Sequence, residues 1–203
     1  MKYILPYIIL VLVGFSCKKS KHPCEGKYTH SYTTISSSFD SYLFKENSYW
    51  VYRNDSTTEI DSQRVVSTIN TQIGSGGGSS CGSAYAEKYQ MQIECSFNNQ
   101  HFNYNIIGSS LYKQTFVPGN YEAYIFSNAE SFTSGNGVQL LETIPSMNLN
   151  GNSIQHIKKV RVDLPAYDII YYFANGVGVI KWEVLQGTSI LESWSIKSWE
   201  VVL

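Results

Sequence analysis

Thiols are the most reactive side chains this chain offers, and it has four cysteines, Cys17, Cys24, Cys81 and Cys95. Cys17 closes a stretch of defined character: Lys2 gives a short basic start, residues 4–13 an apolar run, and residues 14–16 a small-residue approach. That order is the order of a secretory signal, with the Cys17 sulfur standing at the cut. As a helix at ~1.5 Å per residue the apolar run reaches about 15 Å, short of the ~30 Å hydrocarbon core. A permanent span is not expected. Export permits disulfides, and among Cys24, Cys81 and Cys95 a single bond leaves one thiol over. Tyr89, Met91, Ile93, Cys95 and Phe97 alternate with polar residues, so Cys95 belongs to the apolar face of a strand. A strand starting near Glu87 carries Cys95 about 26 Å away at ~3.3 Å per residue. The six-residue path from Cys81 to Glu87 spans at most about 20 Å. Cys24–Cys81 is therefore the better pairing, with Cys95 packed as a small apolar group.

Other chemistry is thinly signalled. His22, His30, His101 and His156 stand in no HExxH or HxH spacing, and no GxSxG occurs. A dispersed triad would leave no such local mark. The Gly-rich stretch 74–83 lacks the GK[ST] of a phosphate loop and reads as a hairpin connection. Asp55, Glu59 and Asp61 gather around a turn, but without the regular spacing and glycine of a calcium loop; a solvated hairpin tip is the simpler reading. No cofactor and no metal site is expected. Lys and Arg total 15 against 16 Asp and Glu, so there is no basic field to collect phosphates and no reason to expect nucleic acid as a partner.

The aromatics are more suggestive. Sixteen Tyr and four Trp are present, and such rings on a curved sheet can stack sugars or line a lipid cavity. Trp182 and Trp194 are the candidate wall residues. The same residue types are also favoured in strands and fill cores.

The elements that must position these residues read as short strands about ten residues apart. Tyr49, Val51 and Arg53 oppose Trp50 and Tyr52, which suits a strand covered on both faces. Phe102, Tyr104 and Ile106 alternate, as do Val160, Val162 and Leu164. Residues 168–178 suit either a strand or a single helical turn. The last two strands flank Gln186-Gly187-Thr188 as a hairpin, with Ile180, Trp182 and Val184 on one face of the first, and Ile190, Trp194 and Ile196 in phase on the second. No helix of three turns is evident. Residues 1–16 read as the signal peptide, 17–38 as a polar Ser/Thr-rich tether, and 39–203 as one β-domain. The fold class is all-β: an antiparallel meander curved into a partial barrel or a two-layer sandwich.

Two resemblances add to this. Ser16, Cys17, Lys18 and Lys19 resemble the SCKK junction of Bacteroidota lipoproteins, although Gly14 stands where such signals usually carry a larger aliphatic residue. The resemblance implies cleavage before Cys17, acylation of its thiol and new amino group, and attachment to the membrane through that lipid anchor. The implied address is the bacterial cell envelope, at the outer membrane, on its periplasmic or surface face. The motifs NSYWVYR (47–53) and YFANGVGVIKWE (172–183) resemble landmarks of uncharacterised exported lipoproteins of Bacteroidota. They imply an early aromatic strand and a glycine-marked entry to a final hairpin, and no reaction. Asp55-Ser56-Thr57 is similar to the O-glycosylation acceptor of exported Bacteroidota proteins, which makes Ser56 a glycosylation candidate. Three functions are compatible with these features: a non-enzymatic envelope lipoprotein binding or carrying an apolar or glycan ligand; an interaction or scaffolding subunit recruited by an outer-membrane protein complex; and a hydrolase with a dispersed site. An enzyme is the least supported of the three.

Overall fold

Alternating β-branched and aromatic residues fit a pleated, half-buried surface, and the computed structural model turns nearly every such stretch into a strand. It describes residues 29–75, 82–97, 100–108, 110–115, 122–127, 137–164 and 166–203. The first six strands are β1 (Thr29–Thr33), β2 (Tyr49–Asn54), β3 (Ile60–Ser75), β4 (Gly82–Cys95), β5 (His101–Ile107) and β6 (Ser110–Thr115). The others are β7 (Glu122–Ser127), β8 (Val138–Leu149), β9 (Asn152–Asp163), β10 (Asp168–Ala174), β11 (Gly178–Gln186) and β12 (Ser189–Glu200). A 3₁₀ helix, Ser37–Tyr42, is the one helix among the described residues, and the Ser36 side chain caps it by accepting from Ser38 N–H.

The strands form one sheet in the order β7-β6-β5-β4-β3-β2-β12-β11-β10-β9-β8. Sequential antiparallel hairpins build each half, and the β12–β2 pairing joins them. The edges β7 and β8 are not paired, yet β7 lies against β8 and β9. The meander is thus an open sheet curled into a partial barrel. Residues 168–174 take the strand option. The stretch read as tether does not extend to residue 38: β1 pairs in parallel with the first part of β4, Thr29 opposite Gly82 and Thr33 opposite Ala86. Beyond it on the same edge β5 takes over from Lys88. β3, β4 and β1 therefore continue past the body as a three-stranded arm.

The interior face is apolar. Val65, Met91, Ile93, Phe102, Ile106 and Ile196 are buried in a single cluster. β2 is covered on one face rather than two: Trp50, Tyr52 and Asn54 are buried while Tyr49 and Arg53 face solvent. Ile190 also departs from its expected phase. A bulge between Val184 and Leu185 shifts the β11–β12 register and leaves Ile190 exposed at the hairpin tip.

One mouth of the sheet is shut by aromatic side chains from the segment leading into β2. Phe39 and Tyr42 of the 3₁₀ helix, then Phe44 and Trp50, are all buried, with Phe44 edge-on to Trp50 at 5.1 Å. Their polar atoms, with that of Tyr52, are spent on the loop between β10 and β11 and the start of β11. Tyr42 Oη donates to Asn175 Oδ1 at 2.8 Å, Tyr52 Oη to Val179 O at 2.7 Å, and Trp50 Nε1 to Val177 O. Gly178, with φ of +92°, packs its Cα side against the Phe44 ring. The two sequence motifs therefore meet face to face: the aromatic strand of one rests on the glycine turn of the other.

Candidate functional site

The candidate ligand wall comes first. Trp182 and Trp194 are cross-strand partners on β11 and β12, and their rings stack at 5.6 Å with 13° between planes. Tyr52 meets Trp182 edge-on at 4.7 Å, and Phe97 meets Trp194 edge-on at 5.1 Å. Trp194 Nε1 donates to Glu192, whose place in the apolar phase this explains. The two tryptophans are thus brought together, but their faces are occupied by other rings. Deeper in the sheet, between Tyr42, Trp50, Met91, Tyr104 and Phe173, the void holds only about 20 Å³. That is room for roughly one water, well below the ~300–1,000 Å³ of small-molecule sites.

The larger space lies outside, at the root of the arm. A cleft of about 390 Å³ is bounded by Ile35, Asp40, Leu43 and Lys45 on one side and by Asn70, Glu87 and Tyr89 on the other, with Leu203 at its end. Three elements assemble it. Asn70 and Tyr89 are cross-strand partners on β3 and β4, which sets their side chains on one face. The strap from β1 to the 3₁₀ helix crosses that face because Glu87 holds it: one carboxylate oxygen accepts from Ile35 N–H at 3.1 Å, the other from Asn70 Nδ2 at 3.2 Å. Ser36 N–H donates to Gly108 O and fixes the strap on the far side. Tyr89 Oη donates to Phe44 O at 3.1 Å, and burial is the main cause raising its phenol pKa. Lys45 Nζ donates to Leu203 O at 2.7 Å. Chemically the cleft offers carboxylate, amide and phenol groups above an apolar floor. Glu87 is fully engaged in holding the strap, which suits a positioning role and not proton transfer. The same face runs outward along the arm to Tyr32 and Tyr85, which are register partners.

The remaining candidates fall elsewhere. Ser56 is exposed in the β2–β3 turn, where Asn54 Oδ1 accepts from the N–H groups of Ser56 and Thr57. The three carboxylates of that region diverge. Asp55 Oδ2 accepts from both Ser193 Oγ and Ser195 Oγ, and Glu59 accepts from Thr57 Oγ1. Asp61 is not solvated as its place near a turn suggested: it is 5% exposed and accepts from Gln63 Nε2 and Phe97 N–H. His30, His101 and His156 lie on three different strands, β1, β5 and β9. Cys95 is a free, buried thiol pushed up to about 12 by burial and then by Asp61. Cys17, Cys24, Cys81 and His22 lie outside the described residues.

A charged cluster on the outer face of β10 and β11 has no counterpart in the sequence reading. Tyr172 Oη donates to Glu183 Oε2 at 3.2 Å, and Lys181 Nζ pairs with Glu183 Oε1 at 2.7 Å. Lys159 and Lys181 each place Nζ 5.4 Å from the Tyr172 ring centre. Burial first, then the Glu183 charge, raises the Tyr172 phenol. Each group there satisfies another, the pattern of a structural network.

No protein-family model and no curated protein matches the chain. Among solved structures it is similar to a chain described as a candidate lipoprotein of Parabacteroides distasonis, with 7% sequence identity and a TM-score of 0.41, over 78% of this chain and 98% of that one.

Proposed function

We propose that the chain is a non-enzymatic lipoprotein of the bacterial cell envelope, anchored through acylated Cys17, which recognises a ligand on its outer surface instead of carrying one inside. The observation that carries this reading is the contrast in space: about 20 Å³ within the sheet against about 390 Å³ at the arm root. The void between Tyr42, Trp50, Met91, Tyr104 and Phe173 is too small for an apolar cargo. The cleft, with Asp40 as an acceptor, Asn70 as an amide and the Tyr89 ring in its wall, fits a hydroxyl-rich glycan better than a lipid. A Cys24–Cys81 disulfide and a glycan on exposed Ser56 belong to the same envelope reading.

The scaffolding alternative draws on one observation of its own. Ile190 and Leu191 are both exposed at the β11–β12 tip, a small apolar point of contact for an outer-membrane protein. The two readings separate in a glycan-binding assay of the soluble domain. The recognition reading expects a retained glycan whose binding weakens about tenfold or more, ~1.4 kcal/mol, in Asp40→Asn and Asn70→Ala. Binding that survives both changes places the ligand elsewhere.

A further inference from the structure

We propose that the arm made by β1 and the outer parts of β3 and β4 is the membrane-facing end of the domain, with Tyr32 and Tyr85 resting in the lipid headgroup layer. The inference builds on the Cys17 anchor proposed above.

The direction of entry carries it. The described structure starts at Thr29, which pairs with Gly82, the first residue of β4. Gly82 lies at the outer end of the arm, since Ser75, the last residue of β3, is opposite Ala84. β1 runs parallel to β4 and so leads from that outer end inward to the body. The chain thus approaches the domain from the arm's far end. Twelve residue steps separate Cys17 from Thr29, a span of at most about 43 Å fully extended. From Gly82 down to Tyr89 at the cleft, β4 covers a further ~23 Å at ~3.3 Å per residue. The part of the described domain that follows the anchor first along the chain is therefore the arm's outer end.

The arm also has the right surface. Tyr32 is 51% exposed and its partner Tyr85 39%. His30 lies beside Tyr85, ring centres 6.3 Å apart. Tyrosine rings with an apolar body and a polar tip concentrate at the membrane–water boundary. Lys18, Lys19 and Lys21 in the connecting stretch would add attraction to an anionic surface. The opposite end of the domain, with Ser56, Tyr167 and Leu191, would then face away from the bilayer.

Hydroxyl-radical footprinting tests this on the full acylated protein in vesicles of phosphatidylethanolamine and phosphatidylglycerol, against the Cys17→Ser protein free in solution. Oxidation of Tyr32 and Tyr85 should fall several-fold in the vesicle sample, while Tyr167 and Leu191 stay unchanged. Vesicle-bound protein with Tyr32 and Tyr85 as reactive as in solution overturns the arm assignment and leaves the anchor standing. Protection that appears in the Cys17→Ser protein as its concentration rises assigns the face to a second copy and also overturns it. Failure of the acylated protein to float with vesicles removes the anchor, and the arm assignment with it.

Discussion

Gly178→Ala should destabilise the domain more than its size suggests, because two costs meet at one atom. The backbone there has φ of +92°, and an added Cβ would stand 3.2 Å from Phe44 Cε2 and 3.4 Å from Phe44 Cζ. Holding an L residue in left-handed backbone costs roughly 1–2 kcal/mol, and overpacking a fixed core ring about 1–3 kcal/mol. Lowered freedom of the unfolded chain returns about 0.4–1 kcal/mol. The net loss is about 2–3 kcal/mol, a sizeable part of the ~5–15 kcal/mol that holds a domain together. Gly151→Ala is the matched control, since its φ is +84° and nothing lies within 4 Å of the added carbon. It should cost about 1 kcal/mol. With a urea m-value of ~1–3 kcal/mol/M, the Gly178 variant should unfold at a midpoint lower by about 1 M, and clearly below the Gly151 variant. Equal midpoints for the two variants would mean that the Phe44 ring does not rest on Gly178, and the account of how the mouth is shut would fail.

Three further outcomes follow from the cysteines. The Cys95 thiol keeps its proton up to about 12 in the fold, against an ordinary 9.0, so it should resist alkylation in native protein and react once denatured. Its raised value favours the fold below pH 9, and that contribution falls away as pH rises from 9 to 12. The buried phenols of Tyr52 and Tyr104, also raised by desolvation, act in the same direction. Urea midpoints measured against pH should decline through that window, less steeply in Cys95→Ala; a flat profile would contradict the burial assigned to these groups. Cys17→Ser should move the protein into soluble fractions with its melting transition unchanged, and a variant that stays with washed membranes would sink the acyl anchor.

The parts of the fold that sequence revealed are those set by local alternation. Met91, Ile93 and Cys95 mark the buried side of β4 two residues apart, and β5 and β9 read the same way. Strand β1 was hidden because Thr29–Thr33 is a polar run, exposed over residues 30–33, and its one partner lies more than fifty residues on, in parallel. Non-local pairing leaves no trace in a short polar run. A bulge defeated the phase of Ile190, since one inserted residue exchanges the two faces of a strand. Trp182 and Trp194 could be named as wall candidates from their strands, but only the strand register pairs them and makes each ring fill the other's space. The cleft was out of reach: Asp40, Asn70 and Glu87 come from a 3₁₀ helix and two strands, and no spacing joins them.

Native mass spectrometry of the protein taken from its own envelope tests the central claim most directly. The account predicts an acylated chain with no apolar molecule enclosed in the domain, and a bound glycan that is lost on Asp40→Asn or Asn70→Ala. A stoichiometric lipid retained by the Cys17→Ser domain, and undisturbed by either cleft substitution, would contradict it.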